Sequence, residues 1–163
     1  LESGERLALI AELCRAAGAG GMVGGQHLDL EAEGHDTPIE ALEAIHQRKT
    51  GALLAASLRL GGLAARAGEA VLEALGAYGR SVGLAFQIAD DVLDVTASTE
   101  VLGKTAGRDA ALDKATYPAL LGLDGARARA RAEADAAVAR LRAAGIESRE
   151  LEALARYAVE RER

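Results

Sequence analysis

The chain has 163 residues, enough for one domain with a substantial core, and half of them are hydrophobic although only 2% are aromatic, so that core must be built mainly from Ala, Leu, Val and Ile. A net charge of −6 excludes the broad basic face of a general nucleic-acid binder. A single cysteine, Cys14, excludes an internal disulfide framework; it reads as a small core residue and suits a reducing, cytoplasmic setting. By its apolar runs the chain is expected to have no transmembrane segment, since the best candidate, about 51–65, is interrupted by Arg59.

Apolar spacing predicts a first helix over about 5–17, with Leu7, Ile10, Leu13 and Cys14 on one face. GAGGMVGGQHLDL follows as a loop or a close-packed helix, with Gln26 and Asp29 on one side of it. Thr37-Pro38-Ile39-Glu40 then marks a helix start, with Thr37 as cap, Pro38 in the first helical position and Glu40 closing a capping box. This helix is expected to run to about Ala65. Inside it, Lys49-Thr50-Gly51 is out of place, because glycine costs about 1 kcal/mol against alanine in a helix interior. Threonine can also turn its hydroxyl onto the preceding turn and bend the helix. Gly51 therefore serves either tight helix packing or a local kink that turns a carbonyl and a hydroxyl into a cavity.

A long helix is predicted over about 69–95, and the polar stretch over about 96–116 reads as an extended loop. Pro118 and Asp124 mark a short helix and the start of another, and Ser148 caps a terminal helix carrying Leu151, Leu154, Ala155 and Ala158. The segment ARARARAEADAAVARLRAA places opposite charges one turn apart, Arg129 with Glu133 and Arg131 with Asp135, as a solvated helix face does. There is no strand alternation, linker or repeat, so the fold class is all-α.

The long helix carries FQIADDVLDV, in which Asp90, Asp91 and Asp94 form one polar stripe with Gln87 while Phe86, Val92 and Leu93 pack elsewhere. Three carboxylates so close repel one another and resist dehydration. Two readings stand. One is a solvated face, although no Lys or Arg follows within a turn to mix the charges. The other is a divalent metal with oxygen ligands, and Mg²⁺ suits a sparse carboxylate site because it keeps waters and accepts phosphate oxygens. His27, His35 and His46 have no ligand spacing and are assigned no role. Lys49, Lys104, Arg108 and Lys114 lie in RKTG, GKTAGRD and DKATYP. Each alone is a surface cation, and GKT lacks the rest of a P-loop. Together they place a basic loop just after an acidic helix, and that loop, with the chain end near Arg161 and Arg163, is expected to be open without ligand and to close over a metal-bridged phosphate.

The segments GMVGGQHLDL, IHQRKTGALL, GLAFQIADDVLDV, LGKTAGRD and DKATYPALLGL, in this order, resemble the C-terminal half of the trans-isoprenyl diphosphate synthases of the polyprenyl synthetase family, most of all the bacterial farnesyl diphosphate synthases. The resemblance covers essentially the whole chain. It implies an isoprenoid synthase-type helical bundle around a deep central cavity, assembled as a homodimer. It also implies an Mg²⁺-dependent prenyltransferase that condenses an allylic diphosphate with isopentenyl diphosphate into a longer trans-prenyl diphosphate of farnesyl or geranylgeranyl type. By resemblance Asp90 is a direct Mg²⁺ ligand, and Asp91 and Asp94 support it or its waters. Lys49, Lys104 and Lys114 contact allylic diphosphate oxygens. Thr50, Gln87 and the Lys49 carbonyl direct partial negative charge at the allylic cation, where stabilisation counts most.

The chain departs from the family in one respect. The first aspartate-rich motif with its paired arginines, and the upstream residues that hold isopentenyl diphosphate, are not in it; LDLEAEG lacks their spacing. With Leu1 in place of an initiating methionine, residues 1–163 read as the C-terminal part of a single polyprenyl synthetase domain, inactive by itself. Two other readings compete. A non-catalytic homologue, acting as dimer partner or regulatory subunit, has no need of intact Lys49, Thr50, Gln87 and three aspartates. A class I terpene cyclase needs an Asn/Asp-Ser/Thr-Glu metal triad that FQIADDVLDV does not supply.

Overall fold

In a computed structural model the described residues are 1–102 and 115–161, with the backbone alone described over 97–102, and every regular element among them is helical. In chain order these are α1 (Ser3–Ala17), α2 (Met22–Ala32), α3 (Ile39–His46), a π turn (Gln47–Gly51), α4 (Ala52–Ala64), α5 (Glu69–Leu102), α6 (Tyr117–Ala143) and α7 (Arg149–Glu160). The all-α expectation is met. The acidic helix, α5, is the spine, packed most extensively on α6 and α4. It runs past the predicted end at Val95 to Leu102, so 96–102 are helical where a loop was expected; the rest of that expected loop, with Lys104, Arg108 and Lys114, and also Arg163, lies outside the described residues.

Alanine explains how α6 packs. Tyr78, Val82 and Ala85 of α5 meet Ala134, Ala137 and Leu141 of α6 and Ala155 and Ala158 of α7 in one buried cluster. A second cluster joins Leu84, Ile88 and Val92 to Leu42 of α3 and to Tyr117, Ala126 and Ala130 of α6. Buried alanines at three- and four-residue intervals give α6 one narrow apolar stripe and bring its axis close to α5, while its arginines stay outside. Arg129 does pair with Glu133, at 3.0 Å, and also with Glu43, at 2.8 Å. Two starts fall where the sequence puts them: Thr116 Oγ1 accepts from the Ala119 N–H, and Ser148 Oγ accepts from that of Leu151. Gly122, at φ 72°, breaks α6 into the short first piece and the long second one.

Other expectations fail. Thr37 does not cap α3; Pro38 is the N-cap, and the Thr37 hydroxyl instead donates to the His35 carbonyl at 3.2 Å. Pro38 is extended at ψ 157° and opens no capping box. The predicted inner face of α1 points outward, with Leu7 66% and Ile10 59% exposed, and Cys14 is exposed too rather than in the core. The reason is that α1 docks on α4 through its other face, where Glu12 accepts from Arg59 at 3.0 Å and Glu5 pairs with Arg66 at 2.6 Å. One stretch, Ser3–Ala32, is also long and apolar enough to cross a membrane by length and composition, which the reading of apolar runs missed. Non-helical backbone at Gly18 and Gly21 divides it into helices of 15 and 11 residues. At 1.5 Å per residue, neither spans a hydrocarbon core of about 30 Å.

Candidate active site

The π turn sits where Lys49-Thr50-Gly51 interrupts the helical pattern, so the local irregularity expected at these residues is present. A wide turn of this kind is a local insertion in an α-helix and is frequent at functional sites. Packing accounts for it. A Cβ on Gly25 of α2 would lie 2.2 Å from the Lys49 backbone nitrogen, and a Cβ on Gly83 of α5 would lie 2.7 Å from the Gly51 Cα. The turn is thus clamped between two helices at contacts that only glycine allows. Tight packing and the irregular turn are one device, not alternatives.

The clamp sets two side chains of the turn, Thr50 and Lys49. Thr50 Oγ1 donates to Gln87 Oε1 at 2.5 Å, tying the turn to α5 one helical turn before the acidic pair. The structure therefore joins two of the predicted catalytic residues directly. Lys49 Nζ donates to Asp29 Oδ2 at 2.6 Å, and Asp29 is buried on α2. Asp29 was legible only as a polar residue beside glycines; its role is to hold Lys49 in one place.

The stripe itself divides. Asp90 faces the chain end, where Arg161 Nη2 donates to its Oδ1 at 2.8 Å. The expectation that the chain end stands open without ligand is therefore wrong at Arg161, because an unpaired Asp90 attracts the nearest guanidinium. Asp91 faces the opposite way. Its Oδ2 accepts the Tyr117 backbone N–H at 3.0 Å and lies 3.8 Å from His46 Nε2. His46 stacks on Tyr117, with centroids 5.8 Å apart and rings 22° from parallel, and neither of its buried ring nitrogens has a hydrogen-bond partner. The spacing of the three histidines carries no sign of this placement of His46; its position one turn before Lys49 does. Asp94 is exposed on the same stripe.

Among the described residues no group of three His, Cys, Asp or Glu side chains converges on one point, so there is no closed metal cage. The donor set still fits Mg²⁺. Asp90 and Asp94 carry hard carboxylate oxygens that are at least partly exposed on α5, and Mg²⁺ takes one or two carboxylates plus water and phosphate. Burial pushes the Tyr117 phenol well above its ordinary value, with the Glu43 carboxylate adding to the effect. Tyr117 is thus a neutral wall behind Asp91.

The chain belongs to the polyprenyl synthetase family, whose model matches residues 5–154. It is 48% identical over 161 residues to the farnesyl diphosphate synthase of Escherichia coli, covering 96% of this chain and 54% of that protein. Among solved structures it is similar to an FPP/GFPP synthase from Zymomonas mobilis, at 40% identity and a TM-score of 0.80, covering 97% of this chain and 52% of the other. It is likewise similar to the geranyltransferase of Helicobacter pylori complexed with magnesium and isoprenyl diphosphate, at 33% identity and a TM-score of 0.78, again covering 97% and 52%. The chain spans about half the length of these relatives.

Proposed function

We propose that this chain is the C-terminal part of a prenyltransferase domain that condenses an allylic diphosphate with isopentenyl diphosphate to give a longer trans-prenyl diphosphate. The observation that carries the reading is the Thr50–Gln87 hydrogen bond at the π turn, one helical turn from Asp90, in a member of the polyprenyl synthetase family. The Thr50 proton is committed to Gln87, so the hydroxyl presents its lone pairs to the surrounding space. That is the polarity needed beside a developing carbocation. Lys49, fixed by Asp29, supplies a cation for diphosphate oxygens. Asp90 and Asp94 would hold Mg²⁺, and Asp91 supports them from behind. When bound, Mg²⁺ supplies the positive charge that stabilises diphosphate as a leaving group. Lys104 and Lys114 fit the same diphosphate role by their place in the motifs. The homodimer is a proposal as well, supported by the open apolar face of α1.

The test is prenyl transfer by the full-length protein with Mg²⁺, isopentenyl diphosphate and geranyl diphosphate, product identified by mass. Thr50→Val and Gln87→Leu should each lower kcat by about 10- to 100-fold with little change in KM, as expected when stabilisation is lost at the transition state alone. The 163-residue chain by itself should show no turnover. An active isolated chain, or full rates in both variants, would defeat the assignment.

A further inference from the structure

Arg161 follows the last turn of α7 and reaches back to α5. Its Nη2 lies 2.8 Å from Asp90 Oδ1, and its guanidinium carbon lies 3.8 Å from the centroid of the Phe86 ring. The arginine side chain is only 13% exposed although Asp90 is 43% exposed, and its Nε is buried without a hydrogen-bond partner. A loosely held surface pair leaves both ends in water. Here the cation is desolvated on an aromatic face, a setting in which cation–π and charge-assisted contacts are strongest.

We propose that Arg161 is a resident competitor for the cation site at Asp90. While the arginine is seated, Oδ1 accepts from a guanidinium, and a divalent cation at the same carboxylate meets a neighbouring positive charge that is removed when the chain end moves away. The proposal rests on the reading of Asp90 as a metal ligand. Three features support the exchange. Arginine stays charged at any pH the protein meets, so it leaves by moving rather than by losing its proton. A divalent ion at ordinary carboxylate distances of about 2.1 Å and a guanidinium on the same carboxylate repel one another, so each weakens the other's hold. Movement is also cheap in structure, because the last backbone bond of the helix is Arg161 N–H to the Tyr157 carbonyl, at 3.2 Å. Swinging Arg161 away leaves the buried Ala155 and Ala158 in place. Apparent metal affinity is then the intrinsic affinity reduced by the fraction of molecules with the arginine seated.

The test is Mn²⁺ binding by electron paramagnetic resonance in the full-length protein, without substrate. Arg161→Gln should bind Mn²⁺ about tenfold more tightly than wild type, the scale of one partly buried charge pair. Phe86→Leu, which loosens the seat but leaves both charges, should tighten binding about two- to threefold. Asp90→Asn should weaken binding at least about tenfold in either background. Unchanged or weaker Mn²⁺ binding in Arg161→Gln and Phe86→Leu, with the Asp90→Asn loss intact, overturns the competitor while leaving the metal ligand standing. No loss in Asp90→Asn overturns the ligand assignment itself, and the competitor falls with it.

Discussion

The two flanks of the acidic stripe on α5 are built from the same residue type and do opposite things. On one flank Asp90 is 43% exposed, and its partner is a side chain from the chain end. On the other, Asp91 is 14% exposed, and its partner is a backbone N–H in the first turn of α6. A side-chain counter-ion can be exchanged; a backbone donor at a helix N-terminus cannot leave without opening the helix. Asp91 also lies where a helix dipole favours negative charge. Adjacent carboxylates thus separate into one that is available to a ligand and one that anchors the fold. The resemblance already set Asp90 apart from Asp91 and Asp94; the packing of α6 and the chain end gives that difference a physical basis.

The comparison can be broken first at Asp90. Asp90→Asn should reduce turnover of the full-length protein at least about a hundredfold. Its melting temperature in calorimetry should shift by no more than about 2 °C, because a half-exposed ion pair contributes on the order of 1 kcal/mol or less. A large fall in melting temperature would mean that Asp90, too, is an anchor.

Asp91→Asn should do the reverse. Losing the charge that accepts from Tyr117 costs about 2 kcal/mol, so the melting temperature of the full-length protein should fall by more than it does in Asp90→Asn, with a smaller loss of turnover than at Asp90. Unchanged melting would show that the bond to α6 contributes nothing.

Tyr78→Phe sharpens the scale, since it deletes a buried hydrogen bond far from either flank. The Tyr78 hydroxyl donates to the Leu151 carbonyl at 2.6 Å, so its loss should cost about 1 kcal/mol at neutral pH. Burial pushes the Tyr78 phenol up to about 12 from 10.0. The folded state therefore favours the protonated phenol, and that stabilisation is complete below pH 10 and disappears as pH rises from 10 to 12. The stability gap between wild type and Tyr78→Phe should narrow across that window in denaturant titrations. A constant gap from pH 8 to 12 would contradict the assigned ionisation.

Much of this architecture was legible in the sequence, and the failures have physical causes. Periodicity located each long helix because the α6 and α7 core stripes are intrinsic to those segments. It misjudged α1, whose apolar face is real but is not the face used against α4; periodicity marks an apolar side without saying what covers it. Thr50 and the irregular turn were readable because threonine and glycine inside a helix are locally costly and so demand a reason, and Gln87 because it shares one helix face with the aspartates. The partners of Asp29, His46 and Arg161 were not, because each acts on a residue 20, 45 or 71 positions away and only the packed chain brings them together. The stripe was found as a stripe. The physical basis of its division needed the positions of α6 and the chain end.

The most direct measurement is the rate of Mg²⁺-dependent prenyl transfer by full-length wild type, Asp91→Asn and Asp90→Asn, side by side at a temperature where all three are folded. The account predicts that order of rates, with Asp90→Asn lowest by at least about a hundredfold. An Asp90→Asn enzyme as fast as wild type, or slower turnover in Asp91→Asn than in Asp90→Asn, would contradict it.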